Sequence, residues 1–270
     1  MSGRYLWLVL LLFAGRLFAA ELNIDLGGAK ETWTTEALLA RPDIRTVTIA
    51  DDVAFHRSMQ YRAVPLAGLL PGLQHVERLQ FVASDGFSVD IDRQTLDNRA
   101  GSQAWLAIED ARQPWPALPG GKGGAGPFYL VWTHPEAAHV SSEQWPYQLA
   151  KIKVTDDVAV RFPATVPAAE VPADSPVRLG YAVFQRTCFA CHTLNGEGDA
   201  RMGPDLNIPH NPTEYFGVNL LRAFIRDPQS LRRWPQAKMS GFSTQALSDT
   251  DLDAVVAYLR YMSAHKVQNR

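Results

Sequence analysis

The chain has 270 residues, 46% of them hydrophobic and 20% charged, with a formal net charge of −2. That is ordinary globular composition at roughly two domains' length, which excludes a disordered chain and a fibre. The charge is uneven: Glu21–Ser175 holds 13 Lys/Arg against 20 Asp/Glu, a net −7, and Pro176–Arg270 holds 11 against 8, a net +3. No basic stripe interleaved with aromatics occurs, which excludes nucleic-acid binding.

At the start of the chain, Arg4, the apolar run Leu6–Ala14, Arg16 and the small pair Ala19-Ala20 follow the pattern of a secretory signal over residues 1–20. The run is too short to span a bilayer stably. An uncleaved signal anchor is the alternative. No later segment is apolar for long enough to cross a membrane, so the expectation is a periplasmic protein with no membrane span after cleavage.

Residues 21–156 read as a strand-dominated α+β domain. Short β-rich runs at Thr46–Ile49, Leu79–Ala83, Phe87–Ile91, Trp105–Ile108, Phe128–Trp132 and Lys151–Val154 are broken by turn residues. Short helices are expected at Thr35–Ala40 and Pro65–Leu70. The run from Pro119 to Gly126 looks at first like a phosphate cradle, but it lacks a Ser or Thr after Lys122 and precedes a strand, which argues against a P-loop; a mobile loop is expected instead. His56, His75, His134 and His139, with the carboxylates of Asp51, Asp52, Glu109 and Asp110, show no diagnostic metal-ligand spacing.

Residues 157–175 turn to Ala, Val and Pro, with prolines at 163, 167 and 172 and Pro176 just after, and predict an extended, semi-rigid linker. From 176 to 270 the pattern is helical. Ser175 can cap, Pro176 suits a first helical turn, and Val177, Tyr181, Phe184 and Cys188 recur three or four apart. Near the end, Ser248 with Asp251 forms a capping-box-like start, and Leu252, Val255, Val256, Leu259 and Met262 make one apolar stripe.

Cys188 and Cys191 are the only cysteines, and His192 follows them. Cys-x-x-Cys-His is the spacing of c-type haem attachment. Two thiols about one helical turn apart can each add to a vinyl group of one porphyrin, and the adjacent histidine is then held under the iron. A disulfide, or a thioredoxin-like redox pair, is the alternative; the latter sits in βαβ surroundings, which this stretch lacks.

Ser175–Met262 resembles the small class I cytochrome c family, all-α: Gly180 and Phe184 precede Cys188 by eight and four residues, Gly203-Pro204-Asp205-Leu206 is similar to the family's loop after the histidine, and Tyr258 lies on the last helix. The resemblance implies one covalent haem c with Pro204 and Leu206 among the cofactor-binding residues, and the Pro204 carbonyl accepting the His192 Nδ1–H. Pro204 as a plain turn former stays open. It also places the axial methionine at Met239, ahead of Met202, Met262, His210 and His265. Arg222, Arg226, Arg232, Arg233 and Lys238 would be either a solvated face or a rim steering an acidic partner.

The N-terminal part is similar to the molybdopterin-binding domain of the sulfite-oxidase type, over Val64–Leu70, Phe81–Val89 and Gly126–Trp132. That family ligates molybdenum through a cysteine, and this domain has none. The implied function is a monohaem electron carrier that accepts electrons from a periplasmic dehydrogenase and passes them to a terminal oxidase or another cytochrome, with the N-terminal domain recognising the partner. Two alternatives remain: an oxidoreductase whose N-terminal domain oxidises a small substrate, and a haem sensor or assembly factor.

Overall fold

The computed structural model describes residues 20–28, 30–121, 123–200, 202–234 and 239–267. Apart from Ala20, the expected signal segment lies outside the described residues, as do Lys122 and Lys238. Among the described residues no helix is long and apolar enough to cross a membrane.

The N-terminal region is strand-rich. Its strands are β1 (Glu21–Asp25), β2 (Lys30–Thr34), β3 (Arg45–Ile49), β4 (Met59–Pro65), β5 (Arg78–Ala83), β6 (Ser88–Asp92), β7 (Gln103–Ile108), β8 (Phe128–Thr133) and β9 (Leu149–Val154), with short helices α1 (Thr35–Leu39) and α2 (Arg93–Leu96). They form a five-stranded sheet in the order β2-β1-β9-β5-β6 and a four-stranded sheet in the order β3-β4-β7-β8. All pairs are antiparallel except β1 with β9, where Asn23–Asp25 run alongside Lys151–Lys153. All six expected strands are present; β1, β2 and β4 were not expected. The expected helix at Pro65–Leu70 is a single 3₁₀ turn, Leu66–Leu69.

β1 alternates, burying Leu22 and Ile24, the sign of a strand with one wet face. β8 does not: Phe128 through Trp132 are all buried. Although β8 ends its sheet, the segment 141–148 covers it, with a Tyr129–Tyr147 bridge and a Leu130 N–H bond to the Pro146 carbonyl at 3.1 Å. A covered edge leaves no open ladder for another chain. On the C-terminal side of the glycine run, Leu118 N–H bonds the Gly123 carbonyl at 2.8 Å and Gln148 Nε2 donates to the Gly124 carbonyl at 2.7 Å.

The C-terminal region is helical: α3 (Val158–Arg161), α4 (Pro176–Thr187), α5 (Pro212–Tyr215), α6 (Val218–Arg226), α7 (Pro228–Leu231) and α8 (Asp249–Ser263). The caps are those the sequence names, with Ser175 accepting from Arg178 N–H at 3.3 Å and Ser248 from Asp251 N–H at 3.0 Å. α4 crosses α8 where Gly180 meets Ala254 and Tyr258, so closely that an added Cβ would overlap the Ala254 carbonyl.

Residues 157–175 are not simply extended. They fold into α3 and a 3₁₀ turn, Pro163–Thr165, and strap onto the helices. Val158 joins the helical core, the Thr165 carbonyl accepts from Tyr258 Oη at 2.6 Å, and Arg178 donates to the carbonyls of Ala168 and Val171. The strap also ties the two regions together: Arg161 pairs with Asp90 of β6 at 3.1 Å and with Asp199, and Gln80 of β5 donates to both acids.

The Asp90 side chain is only 11% exposed. Burial pushes its carboxyl above the usual range, against the pull of Arg161 and Gln80. Arg161→Ala therefore leaves the buried carboxylate without its paired cation and with only the Gln80 hydrogen bond, at a cost of about 3 kcal/mol. Removing the cation raises the Asp90 pKa further above its unfolded value, so protonation relieves the deficit as pH falls. Urea denaturation at neutral and at acidic pH should show a large loss that shrinks on acidification; a loss independent of pH would assign the effect to packing.

Candidate functional site

α4 ends at Thr187 and the chain continues through a tight turn that holds both thiols and the imidazole. Cys191 and His192 N–H both bond the Cys188 carbonyl, at 3.2 and 3.0 Å, while Cys188 and Phe189 N–H bond the Phe184 carbonyl at 2.9 Å. The following loop folds back on this turn, with Gly203 N–H on the Cys191 carbonyl at 2.8 Å and Leu206 N–H on the Thr193 carbonyl at 2.9 Å.

His192 Nδ1 lies 2.8 Å from the Pro204 carbonyl. A carbonyl can only accept, so Nδ1 carries the proton and Nε2 keeps its lone pair. Burial lowers the His192 pKa, opposed by the Pro204 bond, which favours the neutral imidazole that a metal requires. Gly203 lies flat against the ring; a Cβ there would overlap it. Asp205 anchors the loop by accepting from the Gly196, Asn207 and Ile208 amides at 2.7–2.8 Å and from Thr193 Oγ1 at 2.9 Å. Burial alone would raise its carboxyl, but these donors outweigh it and hold the pKa below the ordinary value.

Both thiols are free. Burial, reinforced by the negative charge of Glu143, pushes each of them up to about 12. Reactive redox pairs have the opposite character, a thiol driven toward thiolate. Cys188, Leu206 and Met239 pack, partly exposed, against the same helical core, together with Phe216 and Phe242. Met262 does not belong with them: it is 2% exposed, inside the α8 stripe. Met202 is half-buried beside Gly203. The donor set thus fits a c-type haem: two neutral thiols on one turn, an imidazole with Nε2 unprotonated, a glycine where a side chain would crowd the ring, and a half-exposed apolar surround.

Asparagines that the sequence reading missed brace this loop. Asn207 and Asn211 are fully buried. Asn195 donates to the Ala164 and His265 carbonyls, Asn207 to Asn195 Oδ1 and the Met262 carbonyl, and Asn211 to Asn207 Oδ1 and the Leu259 carbonyl, all at 2.7–3.0 Å. The ladder gives added donors to carbonyls at and just beyond the C-terminal end of α8, where the Met262 carbonyl also accepts from the His265 amide at 2.8 Å. No local pattern announces it, because its acceptors lie up to 70 residues away in sequence.

The arginines divide. Arg222 pairs with Asp253 and Asp249, and Arg226 with Asp249 at 2.7 Å and with the carbonyls of Phe242, Ser243 and Leu247. Those two are engaged within the domain. Arg232 and Arg233 are exposed, Arg232 lying over the Trp234 ring at 5.5 Å. In the N-terminal region His56, His75, His134 and His139 are all exposed. Among the described residues no group of three or more His, Cys, Asp or Glu is placed to hold a metal ion.

Comparison with known families matches residues 177–263 to the model described as Cytochrome c. No curated protein matches the chain.

Proposed function

Because residues 177–263 carry a cytochrome c domain, and with it haem c binding and electron transfer, we propose that the chain is a periplasmic carrier with one haem attached through Cys188 and Cys191 and ligated by His192 and Met239. It takes electrons from a periplasmic dehydrogenase and passes them toward a terminal oxidase or another cytochrome. When bound, the haem supplies a one-electron couple. The chain's own residues do the rest: Pro204 fixes the tautomer of His192 and raises its basicity, Leu206 and its neighbours keep water away, and a Met239 thioether favours the reduced state. The observation that carries this reading is the His192–Pro204 bond at 2.8 Å, which leaves Nε2 as the ligating atom beside two protonated thiols.

The N-terminal domain is read as a sulfite-oxidase-type scaffold that has no molybdenum and serves partner recognition. Two observations support this: it has no cysteine, and its interior is filled by Tyr61, Tyr129 and Trp145, with the half-buried Trp115 packed against them, while the Tyr61 and Tyr129 hydroxyls donate to the buried Asp52. The test is the full chain, exported from a host that matures c-type cytochromes and makes the molybdenum cofactor. The expected result is one haem per chain that survives acid-acetone extraction, and no molybdenum by elemental analysis. Extractable haem overturns the thioether assignment, and near-stoichiometric molybdenum overturns the scaffold reading.

A further inference from the structure

The loop after His192 leaves the imidazole at Thr193 and returns to it at Pro204, and one carboxylate closes it. Asp205 Oδ2 accepts from Thr193 Oγ1 at 2.9 Å and from the Gly196 amide at 2.7 Å. Its Oδ1 accepts from the Asn195, Asn207 and Ile208 amides at 3.2, 2.8 and 2.8 Å. Thr193 follows His192 in sequence, and Asp205 follows Pro204. The two ends of the His192–Pro204 bond are therefore tied to each other a second time, through Asp205, by bonds as short as the one they secure. Backbone bonds of Gly203 and Leu206 steady the same loop, but each is a single bond between neutral groups, and Asp205 gathers five donors on one anion.

The charge of that anion is not cancelled. All five donors are neutral, and among the described residues no Lys or Arg pairs with Asp205. Hydrogen bonds from amides and a hydroxyl favour the ionised form of a carboxyl, and here they outweigh burial and keep it ionised at neutral pH. A ferric centre carries one positive charge more than a ferrous one, so a fixed negative charge beside its ligand favours the ferric state. A carbonyl held on Nδ1–H acts in the same direction, because it raises the basicity of the imidazole.

We infer that Asp205 is a positioning residue for the iron ligand: it keeps the Pro204 carbonyl on His192 Nδ1 and sets a fixed negative charge beside the imidazole, and both favour the oxidised centre. The inference rests on the haem assignment above and adds the residue that opposes the Met239 thioether, which favours the reduced state. Asp205 acts through His192 and is not itself a ligand.

The test uses the full holoprotein, with covalent haem counted first. A wild-type chain without covalent haem fails at that point, through the underlying assignment, and takes this inference with it. Two quantities are then read: the ratio of reduced to oxidised haem at a fixed electrode potential and neutral pH, and the exchange rate of the His192 Nδ1–H proton, followed by NMR of the ferrous protein. Asp205→Asn keeps the shape and one acceptor oxygen but removes the charge, and should raise both the ratio and the exchange rate severalfold. Thr193→Val keeps the carboxylate and removes one of its donors; it should quicken the exchange while leaving the ratio nearer that of wild type. The valine variant also keeps the inference falsifiable should the asparagine variant fail to fold. A ratio that is unchanged or lower in Asp205→Asn overturns the inference, as does an exchange rate that neither variant alters. A loss of stability in urea with both readouts unmoved would make Asp205 an anchor of the loop alone, and overturns it too.

Discussion

Replacing Met239 by alanine should abolish the weak near-infrared sulfur-to-iron band of the oxidised protein and lower its midpoint potential. The thioether is the softer ligand and favours the reduced state; without it, water or a nitrogen base would fill the sixth position and favour ferric iron. The rivals differ in ways that make the result readable. Met262 is 2% exposed in the α8 core, so Met262→Leu should leave the band intact. Met202, next to Gly203 in the loop that carries Pro204, is the other thioether to examine. If the band survives Met239→Ala and disappears in Met202→Leu, Met202 is the ligand. If it survives both, sulfur ligation comes from neither.

Gly180→Ala should destabilise the cytochrome domain by about 3 kcal/mol, although helix propensity alone favours alanine by about 1 kcal/mol. The sign is decided by what the methyl meets. It would overlap the Ala254 carbonyl and come within 2.7 Å of Tyr258 Cβ, and a backbone carbonyl inside α8 cannot swing aside as a side-chain tip can. α4 and α8 must therefore separate, loosening the contacts of Tyr181, Phe184, Val255 and Leu259 that form the helical core. Against a total stability of roughly 5–15 kcal/mol, such a loss should also cut the yield of covalent haem. Chemical denaturation of wild type and variant checks it; equal stability would mean that the α4–α8 crossing yields to the added methyl without loss of packing.

Local patterns were the legible part of this chain. The capped starts of α4 and α8, the α8 stripe and six strands are each set by residues within a dozen positions, and the thiol pair with its histidine is a motif of five. Long-range features were not legible. Proline spacing in 157–175 speaks for an extended chain, but Arg161 finds Asp90 and Asp199, 71 and 38 residues away, and those partners decide the segment's shape. The basic run from Arg222 to Lys238 likewise gives no hint of which arginines are engaged, because the partners of Arg222 and Arg226 are Asp249 and Asp253, on another helix. β1 and β2 escaped notice because each has only five residues and carries charge; they are strands because they pair with each other and, through β1, with β9.

The asparagine ladder bears on how the protein ages. Asn195-Gly196 is a sequence in which the glycine amide nitrogen readily attacks the asparagine carboxamide, expelling ammonia to form a succinimide that water then opens to a carboxylate. Here both reactants are held: Gly196 N–H is bonded to Asp205 at 2.7 Å, and the Asn195 amide donates to Ala164 and His265 while accepting from Asn207. Deamidation is therefore slow in the folded chain and fast in the unfolded one. A chain that does deamidate turns a negative oxygen toward two carbonyls and loses the upper rung that supports the His192 loop. The damage is thus set less by time in the folded state than by time the chain spends unfolded.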